Sequence, residues 1–208
     1  EQYTHNVLVP GSSPGGPTTS VLKNFLFYIF FYLILTFEVN SKIMVIENLN
    51  SKNKSKNINK WSLITDQVMG GVSTGTFKLD KLEDKNCYRM TGNVSTKNNG
   101  GFIQIRKFID PNLEINDFKG IYILVFGNNK DYNLHLRTEY TIAPWQYYSY
   151  SFFSENKWMK IKAPFSNFTK SNFYQPKKLI NQRIKSMGLV AGFEDFSADI
   201  CLAEIGLY

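Results

Sequence analysis

The chain has 208 residues, a formal net charge of +7, 17 Phe and 12 Tyr, but only two Cys and two His. Its base is mostly Lys, 20 against 4 Arg, and residues 61–208 carry 18 basic and 14 acidic side chains, a net +4. A nucleic-acid surface calls for Arg gathered into a patch, so nucleic acid is set aside as a partner.

Residues 9–20 are dense in Gly, Pro and Ser and read as a flexible segment that buries no apolar surface. Residues 25–37 form an almost wholly apolar run between Lys23 and Glu38. It falls short of the ~20 residues a spanning helix needs. Three meanings compete: a secretion or anchor segment that touches a membrane, an organelle-targeting extension, and upstream sequence joined to the gene by a wrong start. We favour the third, with Met44 as the natural start. The polar, Lys- and Asn-rich residues 49–60 read as linker. The expected organisation is an extension over residues 1–60 and one folded domain over residues 61–208. The expected location is the cytoplasm in a bacterium and the mitochondrion in a eukaryote.

The domain opens on Trp61, followed by the lone carboxylate Asp66 and the pair Gly70-Gly71. The pattern predicts a turn leading into a strand, with Asp66 bracing the turn through backbone hydrogen bonds or contacting a ligand. Strands are then expected over residues 72–79, 87–95, 101–108 and 120–126. The last is a continuous apolar run, as in a strand covered on both faces. Residues 131–140 alternate: Tyr132, Leu134, Leu136 and Thr138 share one face and Asn133, His135, Arg137 and Glu139 the other. Further strands fit residues 147–153, 157–163, 184–190 and 198–208. In the last, Ile200 and Leu202 keep one phase and Ile205 and Leu207 the other, which predicts a bulge or an edge. Residues 176–183 are the best place for one short helical turn. Many short strands with turns between them predict an antiparallel β-sandwich or barrel.

No constellation points to catalysis, a metal or a cofactor. His135 has no His, Cys or carboxylate at useful spacing and reads as an exposed strand histidine. Cys87 and Cys201 read as two reduced, buried thiols. The carboxylates are scattered, and neither Gly70-Gly71 nor Gly100-Gly101 sits in a strand-to-helix phosphate loop. The aromatic stretch containing Trp145, Tyr147, Tyr148, Tyr150, Phe152 and Phe153 is where binding competes seriously with core packing. Strand phase separates Tyr148, Tyr150 and Phe152 from Tyr147 and Phe153. The candidate contact residues are Asp66, Trp145, Tyr147, Tyr148 and Tyr150.

Several motifs occur together in order. Trp61 is followed by Asp66-x-Val68-Met69-Gly70-Gly71-Val72-Ser73, Gly92-x-Val94-Ser95 and Asn98-Asn99-Gly100-Gly101-Phe102. Later come Trp158-x-Lys160-Ile161-x-Ala163-Pro164-Phe165-Ser166-x-Phe168, Ile184-x-Ser186-x-Gly188, and Ile200-x-x-x-Glu204-Ile205-x-x-Tyr208. This series resembles the complex I intermediate-associated protein 30 family. The resemblance implies a galactose-binding-like jelly roll, related to some carbohydrate-binding modules, and a non-enzymatic, chaperone-like role in respiratory complex I assembly. It implies a protein partner, with carbohydrate as the alternative ligand, and no catalytic residues or cofactor.

Overall fold

The computed structural model describes residue 11 and residues 42–51, 61–110, 112–113, 115–179 and 183–208. The apolar run 25–37 and the Lys/Asn-rich residues 52–60 lie outside the described residues, so the readings attached to them stay expectations. No helix among the described residues is long and apolar enough to cross a membrane.

The described residues form twelve strands. In chain order they are β1 (Met44–Asn48), β2 (Trp61–Thr65), β3 (Thr74–Leu82), β4 (Lys85–Val94), β5 (Phe102–Phe108) and β6 (Gly120–Phe126). There follow β7 (Lys130–Thr138), β8 (Tyr148–Ser154), β9 (Trp158–Pro164), β10 (Thr169–Lys170), β11 (Ile184–Gly192) and β12 (Phe196–Leu207). Sheet 1 runs β3-β4-β12-β6-β9, with β1 also beside β12, and sheet 2 runs β10-β8-β7-β11-β5-β2. Every pairing is antiparallel. The chain is an all-β sandwich, as its composition and spacing predict.

The core lies between the sheets and is built by alternation. Tyr132, Leu134 and Leu136 of β7 are buried against Ile103 and Ile105 of β5, Ile121 and Ile123 of β6, and Met90 and Ile200 of sheet 1. Each fully buried side chain of this size contributes about 1.5–3 kcal/mol. The phase slip in β12 is a bulge: the register to β6 shifts between Leu202 and Glu204. It keeps Ile200, Leu202, Ile205 and Leu207 all buried. β12 pairs with β4 through Phe196–Leu202 and with β1 from Glu204 onward.

Three expectations are corrected. Residues 44–48, assigned to the extension, form β1 and hydrogen-bond with β12, so the sheet takes in residues ahead of Trp61. Residues 176–179 carry no helical turn, and 180–182 lie outside the described residues. Cys87 and Cys201 are joined in a disulfide rather than reduced. The cause is strand order: β4 and β12 are neighbours, which brings the two Cα atoms to 5.4 Å, within disulfide range. The bond lies with Phe126 and Ala203 in a small apolar cluster, apart from the main core and backed by Leu82, Leu124 and Trp158.

Candidate binding surface

The opening signature folds into a buried polar knot. Asp66 begins a short 3-10 turn, and its side chain is 0% exposed. One carboxylate oxygen accepts the Ser73 N–H at 2.9 Å; the other accepts the Ser73 hydroxyl at 2.5 Å and the N–H groups of Gly101 at 2.5 Å and Phe102 at 3.3 Å. Ser73 extends the knot by accepting the Ser95 N–H at 3.0 Å. Both glycine pairs converge here, because a Cβ on Gly71 or on Gly100 would fall inside the Asp66 carboxyl group. Burial raises the Asp66 pKa, but the Ser73 hydroxyl and the N–H groups of Gly101, Ser73 and Phe102 outweigh it and hold the carboxyl below its ordinary value. Asp66 is therefore the pin that ties the β2–β3 turn to the start of β5. As a direct contact with a partner it is corrected, since none of it reaches the surface.

The aromatic stretch divides as strand phase predicts. Tyr148 is fully buried, with its hydroxyl donating to the Pro176 carbonyl at 2.8 Å. Tyr150 is half-buried on the core side, against Phe168. These two serve packing, and Tyr148 drops out as a surface contact. Tyr147 lies on the opposite side, stacked on His135 with ring centroids 3.8 Å apart. Trp145 stands on the β7–β8 loop and is 66% exposed.

That loop is held in place. The Arg137 guanidinium donates to the carbonyls of Thr141 at 3.2 Å and Ala143 at 3.0 Å. The Gln146 side chain accepts the N–H groups of Ile142 and Ala143. Ser171, after β10, donates to the Trp145 carbonyl at 3.2 Å and accepts the Tyr147 N–H at 2.9 Å. Gln175 donates to the Tyr147 carbonyl at 3.0 Å. Two loops are thereby knitted together, one carrying Ile142 at 87% and Trp145 at 66% exposure and the other Phe173 at 84% and Tyr174 at 86%.

The outer faces of the two sheets differ in kind. On sheet 1, Arg89 donates to both Asp199 carboxylate oxygens at 2.7–2.8 Å and reaches Asp80 at 3.3 Å. On that face too, Lys160 lies over the Tyr122 ring and the Tyr122 hydroxyl donates to Glu204 at 2.8 Å. On sheet 2, register places Arg106 of β5, Gly188 of β11 and His135 of β7 in one row. Arg137, Ser186 and Phe108 form the next row. Arg106 Nε, Arg137 Nε and His135 Nε2 are all buried without a partner among the described residues. On sheet 1 Arg89 is paired with two carboxylates, whereas both sheet 2 arginines keep a buried Nε–H without an acceptor among the described residues.

His135 was expected to be an exposed strand histidine, and this is corrected: Tyr147 covers it, and burial pushes its pKa down to about 3. The unfolded chain takes up a proton near pH 6.5 where the folded chain does not, so stability present above that pH is lost as pH falls toward 3. The slope should approach about 1.4 kcal/mol per pH unit. Urea midpoints at about pH 7 and about pH 5 should differ in the native protein and differ less in His135→Gln. Equal pH sensitivity in both would refute this account.

Sequence reasoning missed the two arginines of this face and a second buried polar group. Glu47 of β1 accepts the Trp61 indole N–H at 2.9 Å and the Tyr88 hydroxyl at 2.7 Å, and it pairs with Lys107. A signal was present: Lys107 falls on the inward phase of Ile103 and Ile105, where a charge requires a buried counter-charge.

The model of the family described as Complex I intermediate-associated protein 30 matches residues 49–202. The chain belongs to this family. No curated protein matches it. Among solved structures it is similar to the family 11 carbohydrate-binding module of the cellulosomal cellulase Lic26A-Cel5E of Clostridium thermocellum, at a TM-score of 0.63 and 14% identity, covering 80% of this chain and 94% of that one. The Clostridium thermocellum module in complex with a β-1,3-1,4-mixed-linked tetrasaccharide gives a TM-score of 0.62 at 14% identity, covering 79% and 94%. At such identity the likeness shows a shared sandwich fold. Within the family-matched region, Trp61, Asp66, Gly71, Ser73, Gly100 and Gly101 all have structural work: Trp61 in the Glu47 group, the rest around the Asp66 pin.

Proposed function

We propose that the protein is a non-enzymatic assembly factor that holds a protein partner, an intermediate of respiratory complex I, against the two knitted loops and the adjoining face of sheet 2. Family membership supports the assembly role. The observation that carries the binding surface is the fixed display of Ile142, Trp145, Phe173 and Tyr174. Large exposed apolar side chains on loops whose backbones are held in place are what a partner buries at the centre of an interface, with polar groups around them. Their loops are ordered by Arg137, Gln146, Ser171 and Gln175, so little ordering entropy is lost on docking.

Trp145→Ala combined with Phe173→Ser should leave the fold within about 0.5 kcal/mol, as for most surface substitutions. It should weaken co-purification with complex I intermediates by about 2 kcal/mol or more, the size of a central anchor. Undiminished co-purification, with complex I at normal levels when the protein is absent, would remove the reading.

A second reading is carbohydrate binding on the same face of sheet 2. It is favoured by the row of small polar groups there: the Ser151 and Ser149 hydroxyls converge on Asn133 Oδ1 at 2.5 and 3.4 Å, with Tyr147 alongside. The tetrasaccharide found with the structurally similar module is the natural probe. Calorimetry showing no heat with that sugar would leave the protein partner as the sole candidate.

A further inference from the structure

We propose that Arg106 and Arg137 form a carboxylate-binding site on the outer face of sheet 2, which takes an Asp or Glu side chain presented by the protein partner. The inference deepens the binding role proposed above and rests on it for the source of the carboxylate.

The geometry starts from strand order. β11 lies between β5 and β7, and Gly188 of β11 is in register with Arg106 on one side and His135 on the other. Arg137 stands two residues along β7 from His135, on the same face. The β11 residues between the two rows are Gly188, which adds no side chain beside Arg106, and Ser186, which stands beside Arg137. A Cβ on Gly188 would come within 2.9 Å of the Gln104 carboxamide oxygen, so that side chain overhangs the same spot. Burial first, and then the Arg106 charge, lower the Arg137 pKa.

The counter-charge is missing. Among the described residues neither arginine makes an ion pair with a carboxylate, whereas Arg89 on the opposite face is bonded to two. Among the described residues the Arg106 side chain makes only a cation–π contact with Phe108, 5.2 Å from the ring centroid, and Arg137 spends its terminal nitrogen on loop carbonyls. The Nε–H groups of both, and Nε2 of His135, are buried with nothing to meet. A buried donor without an acceptor is costly, and a like charge nearby adds to the cost. One planar anion inserted between them would satisfy both Nε–H groups and cancel the repulsion. A guanidinium fork matches a carboxylate in shape and spacing. His135, kept neutral by burial, adds no third charge and offers one more hydrogen bond. On an unmodified protein partner, the anion with that shape is an Asp or Glu side chain.

The test is an NMR titration of the full-length protein, following the arginine Nε–Hε resonances with blocked tetraglutamate, blocked tetraglutamine and inorganic phosphate as probes. Arg106→Lys and Arg137→Lys assign the two signals by their disappearance. Expected are saturable shifts of both signals with tetraglutamate and none with tetraglutamine. Arg106→Lys, which keeps the charge but loses the fork, should bind tetraglutamate about tenfold or more weaker. Its backbone spectrum should change only around Phe108 and the substituted site, because among the described residues the Arg106 side chain makes no hydrogen bond. No shift with tetraglutamate, shifts with phosphate only, or undiminished binding by Arg106→Lys would each overturn the site. If complex I intermediates co-purify while tetraglutamate gives no shift, the carboxylate site fails and partner binding stands. If tetraglutamate binds while no intermediate co-purifies, the site stands and its partner must be sought elsewhere.

Discussion

Asp66→Ala is expected to destabilise the protein by roughly 4 kcal/mol, a large share of a domain's usual stability. The substitution removes the acceptor of four hydrogen bonds, three of them from backbone N–H groups of Ser73, Gly101 and Phe102. The Ser73 hydroxyl can turn to the Ser95 carbonyl, 3.3 Å away, so its loss is cushioned. The N–H groups of Ser73 and Gly101 have no such escape. Each buried orphan donor costs about 1–3 kcal/mol. Asp66→Asn should fare little better. It keeps the volume but sets an amide N–H₂ against N–H donors, and the cage around Gly71 and Gly100 is too tight to let it turn away. Urea unfolding of both variants, read as midpoint and slope, checks this. A shift below about 1 kcal/mol for Asp66→Ala would mean that water replaces the carboxylate freely. The pH dependence follows the same bonds. The folded-state pKa lies below 3.8, so the stabilisation is present above the unfolded-state pKa and is lost as pH falls through the lowered value.

The same residues show what a sequence discloses. Strand phase was legible: Tyr132, Leu134 and Leu136 lie in the core and Asn133, His135 and Arg137 on the other face, although Asn133 and His135 are covered there too. The slip between Leu202 and Ile205 was legible for the same reason, since a bulge is the only way to keep both apolar pairs inside. What escaped depends on which strands become neighbours. Gly70-Gly71 and Gly100-Gly101 were readable as turns, but not their meeting around one carboxylate. Cys87 and Cys201 were readable as buried, but their bond requires β4 beside β12. Arg106 and Arg137 come to adjacent rows of one face only because a single strand, β11, separates β5 from β7. In an antiparallel sandwich such neighbours come from distant parts of the chain, and periodicity carries no information about them. The aromatic stretch is intermediate: strand phase separated Tyr147 from Tyr148 and Tyr150, while the cover that Tyr147 gives His135 needed the loop's path.

Removal of Glu47 should be about as damaging as the Asp66 change, and for a different reason. Lys107 is 6% exposed and Glu47 5%, so each is the other's only counter-charge among the described residues. Glu47→Ala leaves an ammonium group in the core beside the Trp61 ring, 5.7 Å from its centroid, together with an orphaned indole N–H and Tyr88 hydroxyl. Breaking a buried pair in this way costs about 3–5 kcal/mol. Tyr88 reports on the same group: burial first, and then its bond to the Glu47 carboxylate, push its pKa well above the ordinary tyrosine value. The pair is also what fastens β1, which lies ahead of the family-matched residues 49–202, to Trp61 within them. A chain that begins at Trp61 should therefore show the same loss, plus that of the β1–β12 hydrogen bonds. The decisive comparison is Glu47→Leu with Lys107→Met. If the penalty comes from a stranded charge, the double variant should recover most of the stability that Glu47→Ala loses, because replacing both partners with apolar groups removes the desolvation cost along with the attraction. If it stays as unstable as Glu47→Ala, the loss lies instead in the Trp61 and Tyr88 hydrogen bonds, and Lys107 is a bystander.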